Sequence, residues 1–189
     1  MWSEHNRAFK EWAVSCEALE EGKQTLLIRK GGVREEGGVF VLNDPEFFLM
    51  RTYEHQKAEL LQERYAARLQ QMQETPHDYR QTVLSAYAVV DTIYEARTDE
   101  QVNALAPEHI WNPTFVRNRF DYNPYDPLYL VLLRVYRLSE PVTLPMSPAY
   151  EGCKSWVTLD RCLSTEGATP ALSDSEFASR RSALLDLLT

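Results

Sequence analysis

Leu128 to Leu138 reads LYLVLLRVYRL, and its first half is apolar at successive positions, the pattern of a strand buried on both faces. Working back, Asp121 to Pro127 is a Pro, Asn and Asp turn region, and Val83 to Ala96 (VLSAYAVVDTIYEA) is a second long run of β-branched and aromatic residues. Between these two runs, Thr98 to Gln101 carries a capping-box pattern opening a short helix that Pro107 stops. Asn112-Pro113 places a capping side chain and an N1 proline before another, Thr114 to Phe120. Two long strands joined through helices point to an α+β domain with a curved, mostly antiparallel sheet flanked by helices.

Toward the N-terminus, Phe9, Trp12, Ala13 and Cys16 recur at helical spacing, which predicts a helix over Asn6 to Leu19 with Asn6 as its cap. Thr25 to Lys30 and Val39 to Leu42 read as two strands of a glycine-flanked hairpin. A third run, Phe47 to Thr52, leads through Tyr53-Glu54-His55-Gln56 into an amphipathic helix over Gln56 to Gln73. Downstream of the decisive strand, Glu140 to Pro148 holds three prolines and is expected to be irregular, and Cys153 to Leu159 offers a last strand with Lys154, Trp156 and Thr158 on one face. Residues 1–163 are expected to form one domain. Residues 164–189 read as a loose linker, then a helix opened by the capping box Ser173 to Glu176 and carrying Leu184, Leu185 and Leu188.

Composition bounds the function. In 189 residues, 20 Lys and Arg face 28 Asp and Glu, a net charge of −8, so nucleic-acid contact is expected at a local site and not over a broad basic surface. Three cysteines without a C-x-x-C pair, and four histidines without metal-ligand spacing, argue against a disulfide framework and a metal site, and no cofactor is expected. The chain has neither an apolar stretch of membrane-spanning length nor a signal-peptide pattern at its start, which gives the expectation of a cytoplasmic protein. Phosphate-binding, dinucleotide and nucleophile-elbow motifs are absent.

Three groups of residues remain as site candidates. Tyr53, Glu54, His55 and Gln56 combine an imidazole, a carboxylate and hydrogen-bonding groups where a strand becomes a helix; the alternative is that they only cap and pack. Arg29, Lys30 and Arg34 beside Gly31 and Gly32 form a local basic patch suited to phosphate, against which Glu35 and Glu36 stand. Trp111, and Trp156 with Lys154, offer rings for stacking a base, a role that competes with ordinary core packing.

Two resemblances add to this reading. The strings FKEW (9–12), LLIRKGG (26–32), TYEHQ (52–56), HIW (109–111), PLYLVLLRVY (127–136) and GCKSWVTL (152–159) resemble a bacterial domain-of-unknown-function family that occurs beside restriction-type endonuclease domains. The resemblance covers residues 6–160 and implies a place in restriction-modification or defence. Val83 to Leu144, a strand, a helical insertion and a returning strand, is similar to the paired strands of EVE and ASCH domains in the PUA-like superfamily. That likeness implies a partly open β-barrel reading RNA or modified DNA bases. Together these predict a nucleic-acid binding module in which Arg29, Lys30 and Arg34 contact phosphate, Tyr53, Trp111 and Trp156 stack, and Glu54, His55 and Gln56 read the base edge. The competing readings are an enzyme of nucleic-acid or nucleotide metabolism using His55 and Glu54, and a defence-complex subunit that docks a protein partner through its C-terminal helix.

Overall fold

A computed structural model describes residues 1–30, 44–122, 125–152 and 154–188. The long runs form the backbone of the fold: β4 (Gln81–Ala96) and β5 (Leu128–Pro145) pair antiparallel along nearly their whole length. With β1 (Glu4–Trp12), β2 (Leu26–Arg29), β3 (Glu46–Thr52), β6 (Trp156–Ser164) and the two-residue β7 (Thr169–Pro170), they build one seven-stranded sheet in the order β2-β5-β4-β3-β1-β6, with β7 on β5. The β1–β3 pair is parallel and the other pairings are antiparallel, so the sheet is mixed, and among the described residues β2 and β6 are its edges. Among the described residues five α-helices accompany the sheet: α1 (Ala13–Glu20), α2 (Glu63–Glu74), α3 (Asp99–Ala104), α4 (Pro113–Tyr122) and α5 (Asp174–Leu188).

Strand alternation divides the core. Phe9, Leu27, Phe47, Leu49, Ala88, Val131 and Leu133 share one face of the sheet, joined by Cys16 and Leu19 of α1 and by the half-buried Trp156. On the opposite face, Leu26, Ile28, Leu128, Leu130 and Leu132 pack under α2, α3, α4 and α5, while Ala8, Phe48, Met50, Tyr87 and Val157 pack around Tyr150. Fully burying each large apolar side chain stabilises the fold by about 1.5–3 kcal/mol.

Three elements differ from the sequence reading. Residues 6–12 are strand and only 13–20 are helix, because β1 is held on both sides, by β3 (Ala8 to Phe48) and β6 (Ala8 to Val157); pairing overrides a spacing that fits both periods. Asn6 caps no helix, and the amides of Asn6 and Arg7 instead donate to His5 Nδ1 at a break in the β1–β6 register. The helix expected from Gln56 begins only at Glu63. Leu61 bridges to Trp111, and the Gln62 side chain donates to the carbonyls of Ala106 and His109, which keeps this segment extended after a single 3-10 turn at 58–60. The proline-rich stretch is strand as far as Pro145, pairing with residues 81–84 of β4. Among the described residues no strand flanks β5 on its other side there, where prolines are tolerated.

β2 pairs with β5, and the hairpin partner expected at Val39 to Leu42 lies outside the described residues. The capping boxes at Thr98 and Ser173 form as read, and Asn112 Oδ1 accepts from Phe115 N at 3.0 Å to cap α4. No helix among the described residues is long and apolar enough to cross a membrane.

Candidate nucleic-acid interface

The site builds outward from the end of β3. Chain alternation carries Lys10 of β1 and Met50 of β3 to the same face, and Tyr53 follows directly after β3 ends at Thr52. Across from it, the residues before β4 make a tight turn. Asp78 Oδ1 accepts from Arg80 N at 3.1 Å and from Arg80 Nε at 2.9 Å, and Met146 N donates to the Arg80 carbonyl at 2.8 Å. Arg80 holds the Asp78 carboxyl down at about 2, so the turn keeps its ion pair across the neutral range.

This turn presents His77 and Tyr79 to Tyr53. The Tyr53 and His77 rings lie 3.8 Å apart between centroids, and His77 meets Tyr79 edge to face at 4.9 Å. Tyr79 is 69% exposed, so its outer face is open. Burial lowers the His77 pKa, which keeps the imidazole neutral at physiological pH. The three rings, with Lys10, Met50, Arg51, Glu54, Thr82, Met146 and Glu151, line a cleft of about 370 Å³, and a recess of about 260 Å³ adjoins it behind Tyr53 and His77. The cations are tied in: Lys10 Nζ donates to the Gly152 carbonyl at 2.9 Å, and Arg51 Nη2 donates to Glu20 at 2.6 Å and Ser85 at 3.4 Å.

The structure separates the candidates read from sequence. Tyr53 and Glu54 line the cleft. His55 is exposed in the left-handed region at φ 58°, and no hydrogen bond joins it to Glu54 among the described residues. Gln56 Oε1 accepts from Val14 N at 3.4 Å, serving the first turn of α1. Trp111 is core: it is 5% exposed, stacked on Phe115 at 3.8 Å and edge-on to Trp12 at 4.9 Å. Lys30 donates to the carbonyls of Phe120 and Asp126, Lys154 donates to the Ala149 carbonyl at 2.8 Å, and Arg34 lies outside the described residues.

Arg29 and Trp156 belong to a second constellation at the open seam of the sheet. Arg29 lies 4.9 Å over the Phe9 ring and 3.8 Å from Glu11, whose carboxyl pKa burial pushes up against the pull of Arg29. Trp156 packs edge-on to Phe9 and Phe47, and its buried Nε1 has no hydrogen-bond partner among the described residues.

The sequence reading passes over His77 and Tyr79. The available signal was Pro76-His-Asp-Tyr-Arg80, two rings flanking an Asx-type turn at the mouth of a long strand. No group of three or more His, Cys, Asp or Glu among the described residues can hold a metal, and burial raises the Cys16 thiol far above the range in which it ionises.

The pattern of the family described as a domain of unknown function, DUF1802, matches residues 8–183. The chain belongs to this family. No curated protein matches this DUF1802 chain. Among solved structures it is similar to an ASCH protein from Zymomonas mobilis, at 11% identity over 94% of both chains with a TM-score of 0.48. A serine-to-alanine variant of the Zymomonas mobilis protein aligns over 100% of both chains at 10% identity and a TM-score of 0.44. A tyrosine-to-phenylalanine variant aligns over 97% of this chain and 98% of that one, at 13% and 0.42.

Proposed function

We propose that this DUF1802 chain is a nucleic-acid binding module that holds an unstacked base against the Tyr53, His77 and Tyr79 rings. The observation that carries this reading is the ladder itself: three rings in sequential contact, the outermost with an open face, at the wall of a cleft of about 370 Å³. Base–aromatic stacking contributes about 1–3 kcal/mol per base and needs no broad basic surface, which suits a chain of net charge −8. The carboxylate of Glu54 and the amide of Gln81 supply acceptor and donor groups for a base edge. We also read the curled sheet as a partly open PUA-like barrel, a reading supported by the Arg29–Ser155 bond between its two edges.

The test is fluorescence anisotropy with single-stranded DNA and RNA oligonucleotides. Tyr79→Ala should weaken binding about tenfold or more, with a shallow salt dependence because the lining cations already hold internal partners. Failure of every oligonucleotide to bind would sink the proposal. A role in restriction-modification follows from the sequence resemblance alone, and phage plating efficiency with and without the gene tests it.

A further inference from the structure

We infer that the base this cleft selects carries a positive charge, as an adenine methylated at N1 does near neutral pH. The inference rests on the base-binding reading above and deepens it.

The argument is an accounting of charge around the ladder. Both lining cations hold internal partners, Lys10 on the Gly152 carbonyl and Arg51 on Glu20 and Ser85. Asp78 is held by Arg80 in the turn. Two carboxylates remain, Glu54 and Glu151, both exposed, both lining the cleft, and neither in a salt bridge among the described residues. A carbonyl does not cancel the Lys10 charge, so Lys10, Glu54 and Glu151 together leave the cleft lining at a net charge of −1, within a chain of net charge −8.

A neutral base gains stacking alone from such a site, with no electrostatic addition, and the net negative lining disfavours a phosphate. A planar cation gains twice. Its ring lies on the electron-rich face of Tyr79, where attraction between cation and ring quadrupole is added to stacking, and the two carboxylates supply the counter-charge. His77, held neutral by partial burial, adds no competing positive charge to the ladder.

Methylated purines occur both as free nucleosides and within strands, so the experiment has two arms. Titration calorimetry compares 1-methyladenosine with adenosine, and anisotropy compares single-stranded oligonucleotides carrying one 1-methyladenine or one adenine at the same position, both arms at pH 7, where the methylated base is cationic. The methylated member of a pair should bind about tenfold tighter, and Glu54→Gln with Glu151→Gln should bring the ratio close to one in folded protein verified by circular dichroism. A preference confined to the strand arm identifies the methylated base within nucleic acid as the ligand, and one confined to the nucleoside arm identifies the free nucleoside. Equal affinity for methylated and unmodified probes, with binding still lost in Tyr79→Ala, overturns the charge inference and leaves the base-binding reading standing. No binding to any probe overturns both.

Discussion

Arg29 and Ser155 stand at opposite edges of one sheet, yet Arg29 Nη2 donates to Ser155 Oγ at 2.9 Å. Arg29 ends β2, and Ser155 immediately precedes β6, where its carbonyl also accepts from Lys10 N at 2.7 Å. The sheet therefore curls until its edges come within side-chain reach, and the seam is closed here by a guanidinium and a hydroxyl instead of a backbone ladder. Glu11 completes the seam from β1 and offsets the charge of the largely buried Arg29.

Breaking this seam should cost stability unequally. Arg29→Met leaves the Glu11 carboxylate buried without its counter-charge and should destabilise by about 3 kcal/mol, because an uncompensated buried ion is far more costly than a missing pair. Ser155→Ala removes one acceptor and should cost about 1–2 kcal/mol. Arg29→Met combined with Glu11→Leu should recover at least about 1 kcal/mol relative to Arg29→Met alone. Urea unfolding of these variants and of Glu11→Leu alone measures this, and strict additivity of Arg29→Met with Glu11→Leu would mean that Glu11 and Arg29 do not interact.

Stability should fall on mild acidification through two buried histidines. His109 Nε2 lies 3.1 Å from the Val102 carbonyl and Nδ1 accepts from Trp111 N at 3.2 Å, so the ring is neutral with its proton on Nε2. Burial lowers its pKa, and burial lowers that of His5, whose Nδ1 accepts two backbone amides. Both rings bind fewer protons in the folded state than in the unfolded chain, where a histidine titrates near 6.5. Their contribution is fully present above about pH 6.5 and is lost as pH falls from there toward the folded pKa values. NMR titration should show both rings neutral at pH 6.5, and urea midpoints should drop between about pH 7 and pH 5.5; a His109 ring half-protonated above pH 6.5 would refute the assignment.

His55 should tolerate, and gain from, replacement by glycine. Its φ of 58° costs an L-residue about 1 kcal/mol that glycine does not incur, and its exposed ring lies outside the cleft. His55→Gly should therefore raise stability by up to about 1 kcal/mol while oligonucleotide affinity stays within twofold. A large loss of affinity would instead give the imidazole a direct role in binding.

The parts of this fold that sequence reveals are those fixed by local chemistry. The capping boxes at Thr98 and Ser173, the Asn112 cap and the long runs of β4 and β5 each carry their signal within a few residues. Elements decided by distant partners are hidden: Phe9, Trp12 and Cys16 fit a helical stripe, but only pairing with Phe48 and Val157 makes residues 4–12 a strand. The site shows the same division. Tyr53 and Glu54 are legible because they directly follow a clear strand, whereas His77 and Tyr79 reach them across a sequence separation of more than twenty residues. Trp111 misleads because an aromatic ring in a list of residues carries no sign of whether Phe115 and Trp12 already cover it.

The C-terminal helix uses its apolar side within its own chain. Phe177 and Leu184 of α5 join the helix-covered face of the core, Arg134 lies 4.8 Å over the Phe177 ring, and Arg180 and Arg181 pair with Glu108 and Asp91. A face so occupied is not open to a partner unless α5 leaves the sheet. Phe177→Ala should therefore lower stability by about 3 kcal/mol, the cost of a cavity at a site only 8% exposed, whereas Leu187→Ala, 51% exposed, should stay within about 0.5 kcal/mol of the parent. Thermal and urea unfolding measure both. If Phe177→Ala leaves stability unchanged, α5 contributes nothing to the core in solution, and its apolar side is free to bind a second protein.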